Sequence, residues 1–538
     1  MGARNRSLQA WLPLLLVPVG LAVYLNSFKT PFLFDDTVTI LHNSHITALG
    51  SFWKVLFDPA RTSVSGRPLA ALSLSLNYAV GGYGVWGYHA VNVALHVLAG
   101  LLLYGVLRRT FESRRLAGRY GALSRELAFA ISALWLAHPL QTQAVTYVSH
   151  RTLSLMSVAL LTALYGVIRG AQAGPRAVQW HRLAVLFCGL GMGTREDMAV
   201  APLLILLYDR VFLARSFKEI ASRRRFLYAG LAATWLLLAA CVIPNPRTHA
   251  AAEPGAIAPW TYALLQPRIL LHYLRLTVWP HPLVLYYAWP VPVRAVSELL
   301  PSAVIASLII TCLAGARRHP EIAFAGAWIF CLLAPSSLVP IPMEFAAERR
   351  MYLPLAAVLT LAVIAAYRLV QIPLHLLASE RLQWDISAGA FALILLILGG
   401  LTLSRNLDYA SPSAMWSHAI AHQPRRPGAA AIPPHLLRLQ NNYATALCAD
   451  RRFHEARRAY ETALRISAGE PAVQYNYGLL LLELGDESGA FKAFAAALRL
   501  KPDFESADPC FKYLRSDDAP RARSCFSQLA RRPEAPQP

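Results

Sequence analysis

The chain has 538 residues, of which 56% are hydrophobic and 15% are charged, and its formal net charge is +21. Soluble domains carry roughly 25% charged residues, so the composition excludes an ordinary soluble protein and indicates that most of the chain lies in lipid. The positive charge does not predict nucleic-acid binding, because the arginines cluster between apolar runs and no basic groove is interleaved with aromatic residues. We expect an all-α fold, a polytopic transmembrane helical bundle with a small C-terminal domain.

Eleven apolar runs are predicted to cross the membrane, because a spanning helix needs about 20 mostly apolar residues. The first run follows Arg4 and Arg6 and lacks a small-residue cleavage site, so it is predicted to be a retained helix rather than a signal peptide. The segment 261–299 is left open between a membrane-embedded hairpin and an extra pair of short spans. The predicted crossings are 8–27, 87–107, 126–142, 147–168, 182–194, 197–213, 226–243, 300–316, 321–341, 351–370 and 386–404.

Arginine-rich loops give the predicted orientation, because basic loops are retained on the cytoplasmic side. The loops 108–125, 169–181 and 214–225 are rich in arginine and alternate with loops that are not. The N-terminus is therefore predicted to be cytoplasmic, whereas the long loop 28–86 and everything after residue 404 are predicted to be external. The loop 28–86 is rich in aromatic residues and is predicted to lie along the membrane surface as short amphipathic helices.

The composition changes after residue 404, and a 34-residue period begins. The recurring positions are Asn442-Tyr443 with Asn476-Tyr477, and Ala456 with Ala490. A period of 34 residues with small and aromatic residues at fixed places is typical of tetratricopeptide helical repeats. The predicted division is a transmembrane domain over 1–404, a linker with a partial repeat over 405–434, and tetratricopeptide repeats over 435–532.

Ionisable side chains within or beside membrane spans are costly, so they are treated first as functional candidates. Each cluster also has a structural interpretation, as a helix cap, an interhelical hydrogen bond or an interfacial salt bridge. The clusters are Asp35-Asp36; His89, Asn92 and His96; His138, Gln143, His150 and Arg151; Arg195-Glu196-Asp197; and Glu348-Arg349. All of them fall on the external side of the predicted topology, which favours an external site between a lipid headgroup and a water-borne partner.

The residue types in these clusters suit transfer to a hydroxyl group. A carboxylate such as Asp35 or Asp36 can take the proton of an acceptor hydroxyl and so activate a weak nucleophile. Arginine at the lipid–water boundary suits a phosphate, because its planar fork binds phosphate oxygens in bidentate fashion. Two adjacent carboxylates can also contact a divalent metal, which stays open, and no cofactor is predicted with certainty.

In this order, the clusters resemble those of the transmembrane and tetratricopeptide repeat-containing O-mannosyltransferase-like family, in the type C glycosyltransferase superfamily. The resemblance covers almost the whole chain. It rests on Phe34-Asp35-Asp36, Arg67-Pro68-Leu69, Gly87-Tyr88-His89-Ala90-Val91-Asn92 with His96, His138-Pro139, Arg195-Glu196, Glu348-Arg349 with Tyr352-Leu353-Pro354, and Arg405-Asn406. Where this chain has Gln143 the family often has Glu, and a second acidic position is replaced in the segment 150–153.

The resemblance implies an inverting transfer of a sugar, with mannose as one candidate, from a polyprenyl-phosphate donor to an acceptor hydroxyl on a protein. The general base would be Asp35 or Asp36, and the tetratricopeptide repeats would bind the protein acceptor or another partner. The implied substrate-binding residues are Arg67, His89, Asn92, His96, His138, Arg151, Arg195, Glu196, Glu348 and Arg349. The arginine-rich, lysine-poor composition favours a bacterial protein of the plasma (inner) membrane, with its repeats in the periplasm or outside the cell.

Two other functions stay open. The bundle could anchor a non-catalytic repeat scaffold that binds a protein partner, an alternative that the replacement at Gln143 favours. The chain could instead transport a lipid-linked sugar. A transporter would be expected to place its charges near the bilayer midplane, whereas the predicted clusters lie at one surface.

Overall fold

The structure is a computed structural model that describes residues 11–58, 62–244, 258–287, 289, 295–340, 344–377, 379–423, 436–501, 521, 524 and 525. All regular secondary structure in these residues is helical, which confirms the predicted all-α class. Two compact units are formed: a transmembrane unit of residues 1–283 and 291–410, and a second unit of residues 284–290 and 411–538.

Sixteen α-helices lie in the transmembrane unit, with shorter 3₁₀ and π turns between them. They are α1 (Leu16–Ala22), α2 (Pro68–Gly81), α3 (Val85–Phe111), α4 (Ala117–Tyr120), α5 (Ser124–Ala137), α6 (Thr142–Val145), α7 (Arg151–Gln172), α8 (Ala177–Met192), α9 (Ala201–Tyr208), α10 (Phe217–Arg223), α11 (Arg225–Val242), α12 (Pro259–Val278), α13 (Leu299–Gly315), α14 (Pro320–Leu338), α15 (Pro354–Leu377) and α16 (Glu380–Leu407). The count refers to the described residues.

Six described helical segments are long and apolar enough to cross a membrane, so the chain is a multi-pass membrane protein. They are Val85–Phe111, Val148–Gln172, Arg225–Val242, Val296–Gly315, Pro320–Leu338 and Leu382–Leu407. Two further apolar helices, Leu12–Ala22 and Pro354–Leu369, are shorter. The total of eleven crossings therefore stays a prediction. Part of the segment that the sequence left open, 261–299, belongs to the helix α12.

The described part of the first long loop, 28–86, contains short helices, whereas its position along the membrane surface stays a prediction. A π turn covers Thr37–Leu41, a 3₁₀ helix covers Leu49–Leu56, and the helix α2 follows. The side chains of Ile40, Ile46 and Val55 bury themselves in a common apolar cluster with Leu74 of α2. This cluster gives the loop a core of its own and fixes the segment that carries Asp35 and Asp36.

The centre of the bundle is formed where α3, α5 and α7 pack closely. At Gly100 a β-carbon would lie 2.7 Å from the side chain of Leu136, so the lack of a side chain there permits the close approach of α3 and α5. Trp135 is fully buried beside this contact, and its indole N–H donates to the carbonyl oxygen of Tyr352 at 2.7 Å. The bundle core thus anchors the start of α15.

The second unit contains α17 (Pro412–Ala421), α18 (Leu436–Ala449), α19 (Phe453–Ile466), α20 (Pro471–Glu483) and α21 (Glu487–Leu500). Ala456 and Ala463 of α19 are fully buried against α18 and α20, and Ala490 and Ala497 of α21 are buried against α20. The alanines that repeat in the sequence therefore occupy equivalent helix contacts. The assignment to tetratricopeptide repeats stays a prediction. The linker residues 424–434 and most of the segment after residue 501 lie outside the described residues.

Candidate active site

Asp36 is a buried carboxylate that fixes the first long loop to the bundle. It is 1% exposed. One of its oxygens accepts from the backbone N–H of Leu33 at 3.0 Å, and the other accepts from the backbone N–H of Ser149 at 2.7 Å and from the hydroxyl of Ser149. Burial raises the pKa of Asp36 to about 7, although the bonds from Ser149 and Leu33 oppose that shift. Because three donors hold the Asp36 side chain, it fixes the position of the adjacent Asp35.

Asp35 is the more accessible carboxylate of the pair, because its side chain is partly exposed whereas that of Asp36 is buried. Its backbone N–H donates to the phenol oxygen of Tyr147 at 2.8 Å. The preceding residue, Phe34, has a φ of 40°, a left-handed conformation that non-glycine residues rarely adopt. Strained backbone of this kind persists where the surroundings over-determine it, often at functional sites. The strain and the Tyr147 contact together set the direction of Asp35.

Arg349, in the segment before α15, is held by two contacts. Its backbone N–H donates to the side-chain oxygen of Gln143 at 2.8 Å, and its guanidinium contacts a carboxylate oxygen of Glu344 at 2.6 Å. Its Nε is buried without a hydrogen-bond partner among the described residues. Tyr147 lies within electrostatic range of both Asp35 and Arg349.

A second guanidinium approaches Glu344 from the turn between α8 and α9. Burial alone would raise the pKa of Glu344, but the charges of Arg349, Arg350 and Arg195 outweigh it and lower that pKa below its usual value. Arg195 also contacts the carboxylate of Asp197. We call Asp35, Tyr147, Gln143, Arg349, Glu344 and Arg195 the Asp35 site.

Arg67 and Glu196, both predicted from sequence, form a bidentate ion pair. The guanidinium of Arg67 lies 2.7 Å from a carboxylate oxygen of Glu196, and it also donates to the carbonyl oxygen of Ser63 at 2.8 Å. The backbone N–H of Leu69 donates to the carbonyl oxygen of Gly193 at 3.1 Å. These contacts attach the end of the first long loop to the turn that carries Arg195.

Arg151 is fully buried among protein acceptors. Its guanidinium donates to Asn92 Oδ1 at 2.6 Å, to the carbonyl oxygens of Ser73 and Tyr88 at 3.1 and 2.8 Å, and to the side chain of Asn77. The side chain therefore joins α2, α3 and α7. A direct contact of Arg151 with a substrate stays a prediction, and its present contacts support a positioning role.

The three histidines predicted from sequence contact the backbone or a buried phenol. His89 lies 2.9 Å from the carbonyl oxygen of Thr30, and His96 lies 2.8 Å from the hydroxyl of Tyr352. His138 lies 3.2 Å from the carbonyl oxygen of Thr277. These contacts hold the first long loop, the start of α15 and the end of α12 against the bundle. A direct contact of the histidines with a substrate stays a prediction.

Glu348 faces away from Arg349 and into the bundle. It is fully buried, and one of its oxygens lies 3.4 Å from the guanidinium of Arg405. Arg405 also contacts Asp408 at 2.8 Å. The two adjacent residues therefore have different roles. Glu348 attaches the segment before α15 to α16, whereas Arg349 belongs to the Asp35 site.

Glu344 and Tyr147 belong to the site but were not predicted from sequence. Glu344 stands five positions before Arg349, and an acid so close to an arginine in one short loop could have indicated it. Tyr147 gave no signal, because a tyrosine at a predicted membrane boundary is ordinary. Among the described residues, no group of three or more histidine, cysteine or acidic side chains is arranged to hold a metal ion.

Comparisons with known proteins find relatives among curated proteins. No protein-family model matches the chain, and no solved structure matches it. Protein O-mannosyl-transferase Tmtc2 of Drosophila melanogaster is 30% identical over 291 residues, which cover 50% of this chain and 29% of that protein. Protein O-mannosyl-transferase Tmtc3 of the same organism is 25% identical over an alignment of 603 positions, gaps included, which covers 98% of this chain and 62% of that protein.

Protein O-mannosyl-transferase TMTC4 of Homo sapiens is 30% identical over 208 residues, which cover 35% of this chain and 27% of that protein. The chain thus spans less than two thirds of the length of these relatives. The similarity to Tmtc3 extends over nearly the whole chain, so it includes the transmembrane unit and the second unit alike. The curated homologues of this chain are the TMTC protein O-mannosyl-transferases, which supports the family that its ordered motifs resemble.

Proposed function

We propose that this chain is a membrane glycosyltransferase that moves a sugar, with mannose as the first candidate, from a polyprenyl-phosphate donor to a hydroxyl group of a protein. The observation that carries the proposal is that Asp35 and Arg349 both lie within electrostatic range of Tyr147, whose phenol oxygen accepts the backbone N–H of Asp35. The Asp35 carboxylate can accept a proton, and the Arg349 guanidinium can neutralise the charge of a phosphate. The names of the homologues, all of them protein O-mannosyl-transferases, support the class of reaction.

Asp35 is the proposed general base. In the transition state its carboxylate takes the proton of the acceptor hydroxyl while the hydroxyl oxygen bonds to the anomeric carbon of the sugar. The bond from that carbon to the phosphate oxygen breaks on the opposite face, which inverts the anomeric configuration. We assign this role to Asp35 rather than Asp36 because both oxygens of Asp36 accept hydrogen bonds from the chain in a buried setting.

Arg349 and Arg195 are the proposed partners of the leaving phosphate. Polyprenyl phosphate gains negative charge as the bond to the sugar breaks, and preorganised cations lower the energy of that transition state. The unpartnered Nε of Arg349 is a donor available to a phosphate oxygen. Glu344 holds the guanidinium of Arg349 from the other side at 2.6 Å and so limits its rotamers.

Gln143 is compatible with this proposal even where the family often has Glu. Its side-chain oxygen accepts the backbone N–H of Arg349, and a carboxylate in the same place could accept the same bond. The substitution therefore preserves the contact that positions Arg349. We propose that the site faces the outside of the cell or the periplasm, as the arginine-rich loops indicate.

The test is a transfer assay with membranes that contain the full chain. Radiolabelled polyprenyl-phosphate mannose is supplied with a protein extract, and mannose incorporated into protein is measured for wild type, Asp35→Asn and Glu112→Gln. Glu112 is a matched control, because it is paired with Arg108 at the arginine-rich end of α3. We expect transfer by wild type and Glu112→Gln, and a loss of about 100-fold or more for Asp35→Asn.

Two outcomes would contradict the proposal. Equal incorporation by wild type, Asp35→Asn and membranes without the chain would favour the scaffold alternative. Movement of the intact donor across sealed vesicles, with no mannose on protein, would favour transport.

A further inference from the structure

A cavity of about 580 Å³ lies in the transmembrane unit, at the end of the bundle away from the Asp35 site. Its walls come from α3, α7, α14 and α15, and it takes in the last part of α3, from Leu103 to Phe111. Thr110 at its mouth follows His89 along α3 by about 30 Å at the rise of an α-helix. The cavity mouth is therefore separated in space from the proposed catalytic groups.

The interior of this cavity is apolar. Its wall includes Leu107, Leu161, Phe212 and Trp328. An apolar cavity suits hydrocarbon better than water, since water needs several polar partners to be held there. The wall follows α15 from Ala356 to Arg368, which is about 18 Å of helix and is close to the depth of one leaflet of the hydrocarbon core.

Charged side chains gather at the mouth of the cavity. Arg119 and Arg368 line it and are exposed. The guanidinium of Arg368 lies 5.6 Å from the centre of the Tyr120 ring, a cation–π contact that keeps it at the opening. His319 and Glu321 also line the mouth and lie 3.6 Å apart, so the two guanidiniums supply its excess positive charge.

We propose that this cavity binds an anionic phospholipid, with an acyl chain in the apolar interior and the phosphate between Arg119 and Arg368. The guanidinium group is suited to phosphate oxygens, because its planar fork offers two parallel donors. Basic pockets between membrane helices on the cytoplasmic side are places where anionic headgroups bind, and the arginine-rich loops beside this mouth mark that side. An apolar tail and an anionic head together match a lipid better than a free phosphate.

The inner end of the cavity contacts the segment that carries Arg349 of the Asp35 site. Trp328 lines the cavity, and its indole N–H donates to the carbonyl oxygen of Leu353 at 3.0 Å. A lipid chain that packs on Trp328 therefore supports the segment that begins at Glu348. The bound lipid is a structural ligand of the bundle and takes no part in sugar transfer.

The experiment titrates the purified full chain in uncharged detergent micelles with phosphatidylglycerol. The melting temperature and the lipid retained in native mass spectrometry are measured for wild type and for Arg119→Gln combined with Arg368→Gln. We expect phosphatidylglycerol to raise the melting temperature of the wild type, and the double variant to bind it roughly 10- to 30-fold more weakly. The matched control combines Arg114→Gln with Arg318→Gln, since both residues are exposed at the same end and do not line the cavity.

A third variant has the opposite expected sign. Glu321→Gln removes the negative charge at the mouth, so phosphatidylglycerol is expected to bind several-fold more tightly than to wild type. The proposal is overturned if phosphatidylcholine stabilises the wild type as much as phosphatidylglycerol does. It is also overturned if inorganic phosphate alone gives the same shift, or if the double variant binds phosphatidylglycerol as the wild type does.

Discussion

The two ends of the transmembrane unit use charge in different ways. At the Asp35 site, acids and guanidiniums pair with one another, as Arg349 does with Glu344, and buried donors fix the backbone around them. At the other end, the cavity wall is apolar and its charges stand exposed at the mouth. Charged groups that take part in sugar transfer must be held in place, whereas charged groups that attract a lipid headgroup need less fixed positions. The comparison predicts that substitutions at the first end change activity or stability and that those at the second change lipid binding.

The largest expected effect is on stability, from Arg151→Ala. The substitution removes the donor to the side chains of Asn92 and Asn77 and to the carbonyl oxygens of Ser73 and Tyr88, and it leaves an unfilled space between three helices. We expect a loss of about 3 kcal/mol or more in the free energy of unfolding. Denaturant unfolding of the purified chain measures it, with the exposed Arg114→Ala as the control, expected to change stability by less than about 0.5 kcal/mol. Equal stability of the two variants would mean that Arg151 does not hold the three helices together.

The next effect is on catalysis, from Arg349→Ala. Loss of a cation that faces the leaving phosphate is expected to lower mannose transfer by about 100-fold, chiefly through kcat, with partial recovery in Arg349→Lys. The melting temperature separates this effect from a folding defect. Unchanged transfer by Arg349→Ala at an unchanged melting temperature would remove this residue from the proposed mechanism.

A further effect concerns the pH dependence of stability at Asp36. Its pKa is about 7 in the folded chain, against an ordinary value of 3.8. Between these values the folded state keeps the proton while the unfolded state releases it, so stability falls as the pH rises from about 4 to about 7. Asp36→Asn is expected to flatten that fall in melting-temperature profiles. An equally steep fall in the variant would assign the pH dependence to other groups.

The smallest effect is expected for Gln143→Glu. A carboxylate there can still accept the backbone N–H of Arg349, so mannose transfer should stay within about threefold of wild type. Gln143→Ala removes the acceptor and should lower transfer by about tenfold, because a buried N–H loses its partner. If Gln143→Glu instead abolished transfer, the amide would have a role that a carboxylate cannot fill.

Hydropathy predicted the all-α membrane bundle, and the order of ionisable residues indicated the candidate clusters within it. Runs of apolar residues are local signals, so helices such as α3 and α7 could be predicted from composition alone. The order of the motifs also indicated Asp35, Arg195 and Arg349 as candidates. These positions depend on residue type and spacing, which the sequence displays directly.

The sequence could not predict which residue of each adjacent pair is buried as a structural contact and which is accessible. Asp35 and Asp36 are adjacent and identical, and only the tertiary contacts of Asp36 with Ser149 separate a positioning carboxylate from an accessible one. Glu348 and Arg349 are separated in the same way by the contact of Glu348 with Arg405, which lies far along the chain. Contacts between residues so far apart in the sequence leave no local pattern from which they could be predicted.

The central claim is that the first long loop and the segment before α15 meet on one side of the membrane, opposite the mouth of the cavity. Labelling of His42→Cys, Val339→Cys and Arg119→Cys with a membrane-impermeant thiol reagent in intact cells tests it directly, since all three positions are exposed. The account predicts that His42→Cys and Val339→Cys are labelled from outside and that Arg119→Cys is labelled only after the membrane is opened. Labelling of His42→Cys and Val339→Cys from opposite sides would contradict it.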